Sequence, residues 1–285
     1  MELLKKLLPK SRQPSLVDAP GLVAMAPLPL AAAAADALAF VLQALVVNVV
    51  NARPWGAYFF GTAWYTNVEQ AVRYPSLLSP AKWAFAIWGV IYAWETVSMV
   101  GLALSALRKV DVPEVWAASR HWWLGANVCQ AAWALLFATD NIAARSLALT
   151  GIVGCLLTLA CRLAPAVDGA TYWGLLAPLW IHAGWTTAAS LVNWNFLLLS
   201  ASASTQLTGA SFSMAMAMIA GVTLLYRVGR SAIPLALALS WALFSIGANL
   251  GASAAGTPGA FRAKCVQELG LEAVNQLWFS HLPAL

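Results

Sequence analysis

The stretch Trp83-Ala-Phe85-Ala-Ile-Trp88-Gly-Val-Ile-Tyr92-Ala-Trp-Glu95-Thr-Val-Ser-Met-Val-Gly-Leu-Ala-Leu104 runs for 22 residues with a single charge, Glu95. About 20 apolar residues in a helix cross a hydrocarbon layer roughly 30 Å thick, and lipid tolerates no irregular backbone at that depth. The stretch therefore predicts a membrane-spanning helix. Six further runs read the same way, approximately Leu30 to Val50, Trp122 to Phe137, Ser146 to Leu163, Tyr172 to Leu199, Ser211 to Tyr226 and Ile233 to Leu250. The third and sixth of the seven spans are short, and the fifth is long enough to tilt. Composition agrees. Charged residues are 9% of the 285 and hydrophobic residues 61%, with a mean hydropathy of +0.73, whereas globular chains carry roughly 25% charged residues. The fold class predicted is all-α, a multi-span transmembrane helical bundle.

The formal net charge is +5. The positive residues stand singly or in pairs beside apolar runs and form no basic stripe, so they fit loop orientation and lipid head groups and not nucleic acid. Ten Lys and Arg fall on the N-terminal side of the seven predicted spans and six on the other, which puts the N-terminus inside and the C-terminus outside. Lys5, Lys6, Lys10 and Arg12 precede a Pro-broken stretch and an apolar run too long for a cleaved signal, so residues 1–29 read as a tail leading to an uncleaved anchor. The loop from Asn51 to Lys82 carries Trp55, Tyr58, Phe59, Phe60, Trp64 and Tyr65 and is expected to fold back onto the mouth of the bundle. After the last span, Gly251 to Gly259 reads as a linker and Arg262 to Ser280 as an amphipathic surface helix. Cys129, Cys155 and Cys161 lie in apolar runs, Cys265 follows alone, and none has a partner at metal-ligand spacing.

Tryptophan stands out, with 15 residues against 10 Phe and 6 Tyr. Interfacial belts account for some of them, Trp122 and Trp173 near span ends among these. Trp88, Trp133 and Trp185 instead fall inside spans, where an indole must find a hydrogen-bond partner or face a cavity. Helical spacing puts Phe85, Trp88, Tyr92 and Glu95 on one face of the second span, and Gln130, Trp133 and Phe137 on one face of the third, with Asn127 a turn earlier. In the fifth span His182, Trp185, Ala189 and Asn193 share a face among small residues that alone would suit close helix packing. Glu95 is either a structural hydrogen-bonding group or the polar anchor at a cavity floor, and His182 is either a bonded structural group or a ligand. No nucleophile triad, phosphate loop, HExxH or carboxylate pair occurs, so an enzyme is not predicted. The rows Ser213, Ala217, Gly221 and Gly247, Gly251 suit helix packing.

The run Tyr74-Pro75-Ser-Leu-Leu-Ser-Pro80-Ala-Lys-Trp83-Ala-Phe85-Ala-Ile-Trp88-Gly89-Val-Ile-Tyr92 resembles the loop-to-second-helix signature of the TspO/MBR (tryptophan-rich sensory protein, translocator protein) family. Gln130-Ala-Ala-Trp133-Ala-Leu-Leu-Phe137 is similar to its third-helix motif, where Asn usually stands in place of Gln130. Pro178-Leu-Trp-Ile-His182-Ala-Gly-Trp185-Thr-Thr-Ala-Ala189-Ser-Leu-Val-Asn193 is similar to its fifth-helix motif. The motifs cover residues 30–199, and the spans after them, with the tail, resemble the longer tryptophan-rich variant of the family; the chain is thus divided into an N-terminal tail (1–29), a five-helix core (30–199), two additional helices packed on its outside (200–250) and a linker with the C-terminal helix (251–285).

What the resemblance implies is a multi-pass membrane bundle, often a homodimer, around a pocket for a porphyrin or haem, or in some members a sterol. No required cofactor follows. Carried over residue by residue, Trp88, Tyr92, Trp133, Trp185, Ala189 and Asn193 line or support that pocket, and Gln130 stands at a matching position. Glu95 and His182 join the candidate site on helix geometry alone. Arg53 and Arg73 are placed to meet a ligand's carboxylates at the mouth. The reading is a membrane protein that senses, sequesters or carries a hydrophobic ligand. Its alternative is a structural or accessory subunit of a larger membrane complex, and a packed interior without a cavity would favour it.

Overall fold

The computed structural model describes residues 24–52, 65–66, 69–70, 73–74, 76–251, 266–267 and 270. Most of the aromatic loop and nearly all of the predicted C-terminal surface helix lie outside these residues, as does Arg53. Seven long helices occur among the described residues: α1 (Leu30–Asn51), α2 (Ile87–Arg108), α3 (Glu114–Phe137), α4 (Ile142–Leu163), α5 (Ala177–Asn195), α6 (Ala203–Val228) and α7 (Ile233–Gly251). The only strands among the described residues, β1 (Met25–Ala26) and β2 (Val112–Pro113), pair antiparallel and tie the approach to α1 to the turn before α3. The chain is an all-α integral membrane protein of the multi-pass kind.

Local sequence explains where the helices start and bend. Pro29 precedes α1 and Pro113 precedes α3, while Asn141 and Ser202 cap α4 and α6 by accepting hydrogen bonds from Ala144 and Thr205 amides. Before α2, Lys82–Ala86 form a 3-10 turn that carries Phe85. Ahead of α5, Tyr172–Leu176 form a π-helical turn. Pro178, two residues beyond it, has no N–H to donate and crowds the carbonyl four residues back, so the wider turn absorbs the misfit. Gly229 ends α6 at φ 75°, a left-handed conformation that lets the chain reverse into α7.

Five helical runs are long and apolar enough to cross a membrane: Leu30–Asn51, Lys82–Arg108, Ile142–Ala166, Gly169–Leu198 and Ala203–Leu250. The last holds two helices, α6 and α7, joined by a 3-10 turn. The predicted third and sixth spans are not short, since they sit within helices of 24 and 26 residues. Helix α3 is nonetheless missing from the five apolar runs. Glu114, Arg120, Asn127 and Gln130 lower its average apolarity, and its buried face is turned to its neighbours rather than to lipid.

Helix α5 is the axis of the bundle. In an apolar 18-residue stretch of its run 78% of the residues are buried, against 22% for α1, which leaves much of its surface for lipid. Helices α4 and α7 flank α5, α3 packs along α4, and α1 covers α3. The approach of α7 to α5 depends on Gly184, where a Cβ would lie 2.6 Å from the Leu235 carbonyl oxygen and 2.9 Å from the Ala238 Cβ. Neither neighbour is a flexible side-chain tip, so the helices would have to part. Gly184→Ala is expected to lower unfolding stability by at least about 1 kcal/mol, seen as a lower thermal midpoint in detergent; an unchanged midpoint would show that α7 is not held at this crossing.

Two features correct the expectation of a self-contained five-helix core with both later helices on its outside, and both concern α7. Helix α7 donates from Trp241 Nε1 to the Ala84 carbonyl (3.0 Å) and from Asn249 Nδ2 to the Ser79 carbonyl (2.9 Å), and its Ser245 carbonyl accepts from the Ala81 amide (3.2 Å). It thereby pins the loop that leads into α2. Ala242 and Ile246 of α7 also wall the internal cavity.

Candidate functional site: an aromatic cavity between α2, α3, α5 and α7

Three of the mid-span tryptophans meet. Trp88 of α2 lies nearly parallel to Trp133 of α3 (centroids 6.3 Å apart, 27° between planes) and edge-on to Trp185 of α5 (6.4 Å, 89°). Phe85 closes on Trp185 edge-to-face at 5.7 Å, and Phe137 packs on Trp133 at 5.1 Å. Offset and edge-to-face arrangements of this kind match the charge distribution of aromatic rings. Together with Ala188, Ala189, Val192, Asn193, Phe196, Ser79, Pro80 and the two α7 residues they enclose a cavity of about 50 Å³. This is room for a water or two.

The wall is mostly apolar, and three polar atoms of its residues lack partners among the described residues. The indole nitrogens of Trp133 and Trp185 and the Oδ1 of Asn193 are buried and make no hydrogen bond among the described residues. Asn193 is oriented by its Nδ2, which donates to the Ala189 carbonyl one turn back (2.9 Å). Two donors and one acceptor are thus left unpaired in the residues that build this wall. An unpaired buried polar group costs about 1 to 3 kcal/mol, which a ligand of matching polarity would recover.

Of the nine predicted site residues, Trp88, Trp133, Trp185, Ala189 and Asn193 line this cavity, and Tyr92, Glu95, Gln130 and His182 do not. Tyr92 stacks on the outer side of Trp88 (5.4 Å, 20°) and accepts a long hydrogen bond at its hydroxyl from Gln130 Nε2 (3.4 Å). These two brace the wall from behind. Glu95 is not a cavity floor. Its Oε1 lies 2.7 Å from His182 Nδ1, both side chains are almost wholly buried, and the imidazole sits edge-on to Trp88 at 5.5 Å. The void beside Glu95 is a separate one, bounded by Ser98, Met99, Trp116 and Trp123, with no room for water. Lipid and apolar neighbours give a mid-span carboxylate and a mid-span imidazole no solvent, so Oε1 and Nδ1 pair with each other, while Glu95 Oε2 and His182 Nε2 have no partner among the described residues. The structural alternative for both residues is the one the geometry supports.

Sequence reading missed four further features. Ala242 and Ile246 of α7 bear no chemical signal, and Phe196 lay beyond the matched motif. Asp36, wholly buried in α1, pairs with Arg120 of α3 at 2.7 Å and accepts from Trp116 Nε1 at 3.3 Å; a lone carboxylate in an apolar run was its visible mark. Arg145 is also wholly buried, although its position beside a predicted loop made it look like a surface charge. Trp122, expected in an interfacial belt, keeps its indole nitrogen buried and without a partner among the described residues, whereas Trp173 is 59% exposed.

The comparison with protein families settles kinship. A family model described as TSPO-like protein matches residues 35–258, well over half of the chain. The chain belongs to the TSPO-like family. Its match runs past the motifs that end near Leu199 and through α6 and α7, in keeping with a longer variant of the family that carries extra C-terminal spans. No curated protein and no solved structure matches the chain.

At the end of the bundle near Phe137, this TSPO-like chain carries a polar cluster outside the spans. Asp140 Oδ1 accepts from Arg73 and from the Tyr74 hydroxyl, each at 2.7 Å. The Tyr74 hydrogen bond, with help from the Arg73 charge, holds the Asp140 carboxyl below the usual carboxylate range, and burial together with that same carboxylate pushes the Tyr74 phenol up. A depressed carboxylate contributes stability above its unfolded value, near 3.9, and loses it as pH falls through the lower folded value. Wild-type protein should therefore lose more thermal stability than Asp140→Asn on acidification from about pH 5 to below about pH 4. Equal losses would mean the cluster does not hold this end together.

Proposed function

We propose that this TSPO-like chain binds a hydrophobic ligand of the flat ring type, a tetrapyrrole or a sterol, in the cavity between Trp88, Trp133 and Trp185, and so senses, sequesters or carries it within the membrane. The observation that carries the reading is the convergence of three indoles from three helices on one apolar cavity. Two of those indoles, with Asn193, keep buried polar atoms that have no partner among the described residues. Flat apolar walls suit a flat ligand, and a few placed polar groups suit its orientation. Ligand pockets usually measure about 300 to 1,000 Å³, so a cavity of about 50 Å³ must widen. The near-parallel Trp88 and Trp133 plates are the natural place for the walls to part.

The same small volume supports a second reading, an accessory subunit whose tryptophans serve packing. Titrating purified protein with protoporphyrin while following tryptophan fluorescence separates the two. Saturable quenching that is lost in pocket variants supports binding, and its absence in wild type supports the subunit role.

A further inference from the structure

Arg145 is the least provided-for charge among the described residues. It stands in the first turn of α4 with its side chain wholly buried. It makes no ion pair there, and its one hydrogen bond is a long one from Nη1 to the Phe137 carbonyl, at 3.5 Å. Nε and Nη2 donate to nothing among the described residues. The Asp140 carboxylate at this end of the bundle is bound to Arg73 and Tyr74. What surrounds the guanidinium is a cage of rings, with its carbon over Phe137 at 4.7 Å, Tyr74 at 5.0 Å and Phe196 at 5.1 Å. Ring faces offset part of the cost of burying a cation, but they accept none of its fixed fork of N–H donors. Burying a charge without a hydrogen-bonded counter-ion is otherwise expensive.

Two of the three caging rings, Phe137 and Phe196, are also walls of the aromatic cavity. One ring layer therefore separates the unspent donors from the ligand space. Resting on the binding function proposed above, we propose that Arg145 is the anion-recognition residue of this cavity, taking an oxyanion, carboxylate or phosphate, carried by an apolar ligand. The guanidinium fork matches either group in two-point fashion, and the oxyanion supplies the hydrogen-bonded counter-charge that Asp140, held by Arg73 and Tyr74, does not. The ligand's apolar body would then lie against Trp88, Trp133 and Trp185, with its acidic end between Phe137 and Phe196.

The test compares protoporphyrin, a dicarboxylate, with its dimethyl ester, which has the same macrocycle and no charge, on the full chain in nanodiscs of zwitterionic lipid. Wild type is expected to bind the acid at least about tenfold more tightly than the ester. Arg145→Met should bring acid affinity down to the ester's while leaving ester affinity unchanged, and Arg145→Lys should keep only part of the preference. Ester binding and thermal midpoint report whether each variant is folded, since a purely structural arginine would not distinguish acid from ester. Equal loss of both ligands in Arg145→Met, or no acid preference in wild type, overturns the proposal while the cavity reading stands. Failure of wild type to bind either ligand overturns both. In discs containing anionic phospholipid, loss of the acid preference in wild type, with a stabilisation that Arg145→Met does not share, identifies lipid phosphate as the oxyanion's source.

Discussion

Glu95→Lys is expected to destabilise the bundle by about 4 kcal/mol or more, whereas Glu95→Gln stays within about 1 kcal/mol of wild type. The glutamate and His182 share one short hydrogen bond, 2.7 Å, in a place where water does not reach. Whichever partner holds the proton, the pair as a whole can stay neutral, and that is why it can exist at this depth. Gln keeps an oxygen that can accept from Nδ1, so little is lost. Lys puts an ammonium beside the imidazole with no anion in reach, adding the insertion cost of a charge, about 2.5 to 3.5 kcal/mol, to that of an unsatisfied ring nitrogen. Thermal unfolding in detergent or nanodiscs measures both variants. Equal stability of the two would show that position 95 reaches water. A double-mutant cycle of Glu95→Gln with His182→Phe isolates the coupling between them.

The reach of sequence reading follows from the range over which its signals act. Apolar runs and the 3.6-residue period act within one helix, so the second-span face of Phe85, Trp88, Tyr92 and Glu95 could be read directly, and so could the fifth-span face. That Glu95 and His182 meet depends on how α2 packs against α5, across 87 residues of chain, and each residue alone looked like a lone polar group. The α7 wall was invisible for a different reason. Ala242 and Ile246 are ordinary membrane residues, and what places them is the absence of a side chain at Gly184, a packing fact. Counting Lys and Arg by loop treated Arg120 and Arg145 as surface charges, but one is bonded to Asp36 and the other is buried among rings. Setting both aside removes one from each side and leaves the orientation argument as it was.

Replacing Trp88, Trp133 or Trp185 by alanine is expected to weaken porphyrin binding by about 1 to 3 kcal/mol each, the scale of losing one aromatic wall in a desolvated site. The three losses should not add. Trp88 touches both other rings, so removing it frees the remaining two to rearrange. Phenylalanine should cost less at Trp88, where stacking area is the main contribution. At Trp133 and Trp185 it should recover less, because their indole N–H groups, which have no partner among the described residues and are available to a ligand once the walls part, are lost with the ring. Trp173 supplies the control: it is 59% exposed and lies flat against Trp94 at 6.0 Å, away from the cavity, so Trp173→Ala should leave affinity unchanged. Trp122 is unsuitable for this purpose, since its buried N–H makes a change there a change in packing. Alanine in the cavity wall also removes core contacts, so each affinity must be set beside a thermal midpoint. Losses that track stability, or that are as large for Trp173 as for the cavity residues, would transfer the tryptophans from ligand binding to packing and leave the accessory-subunit reading in possession.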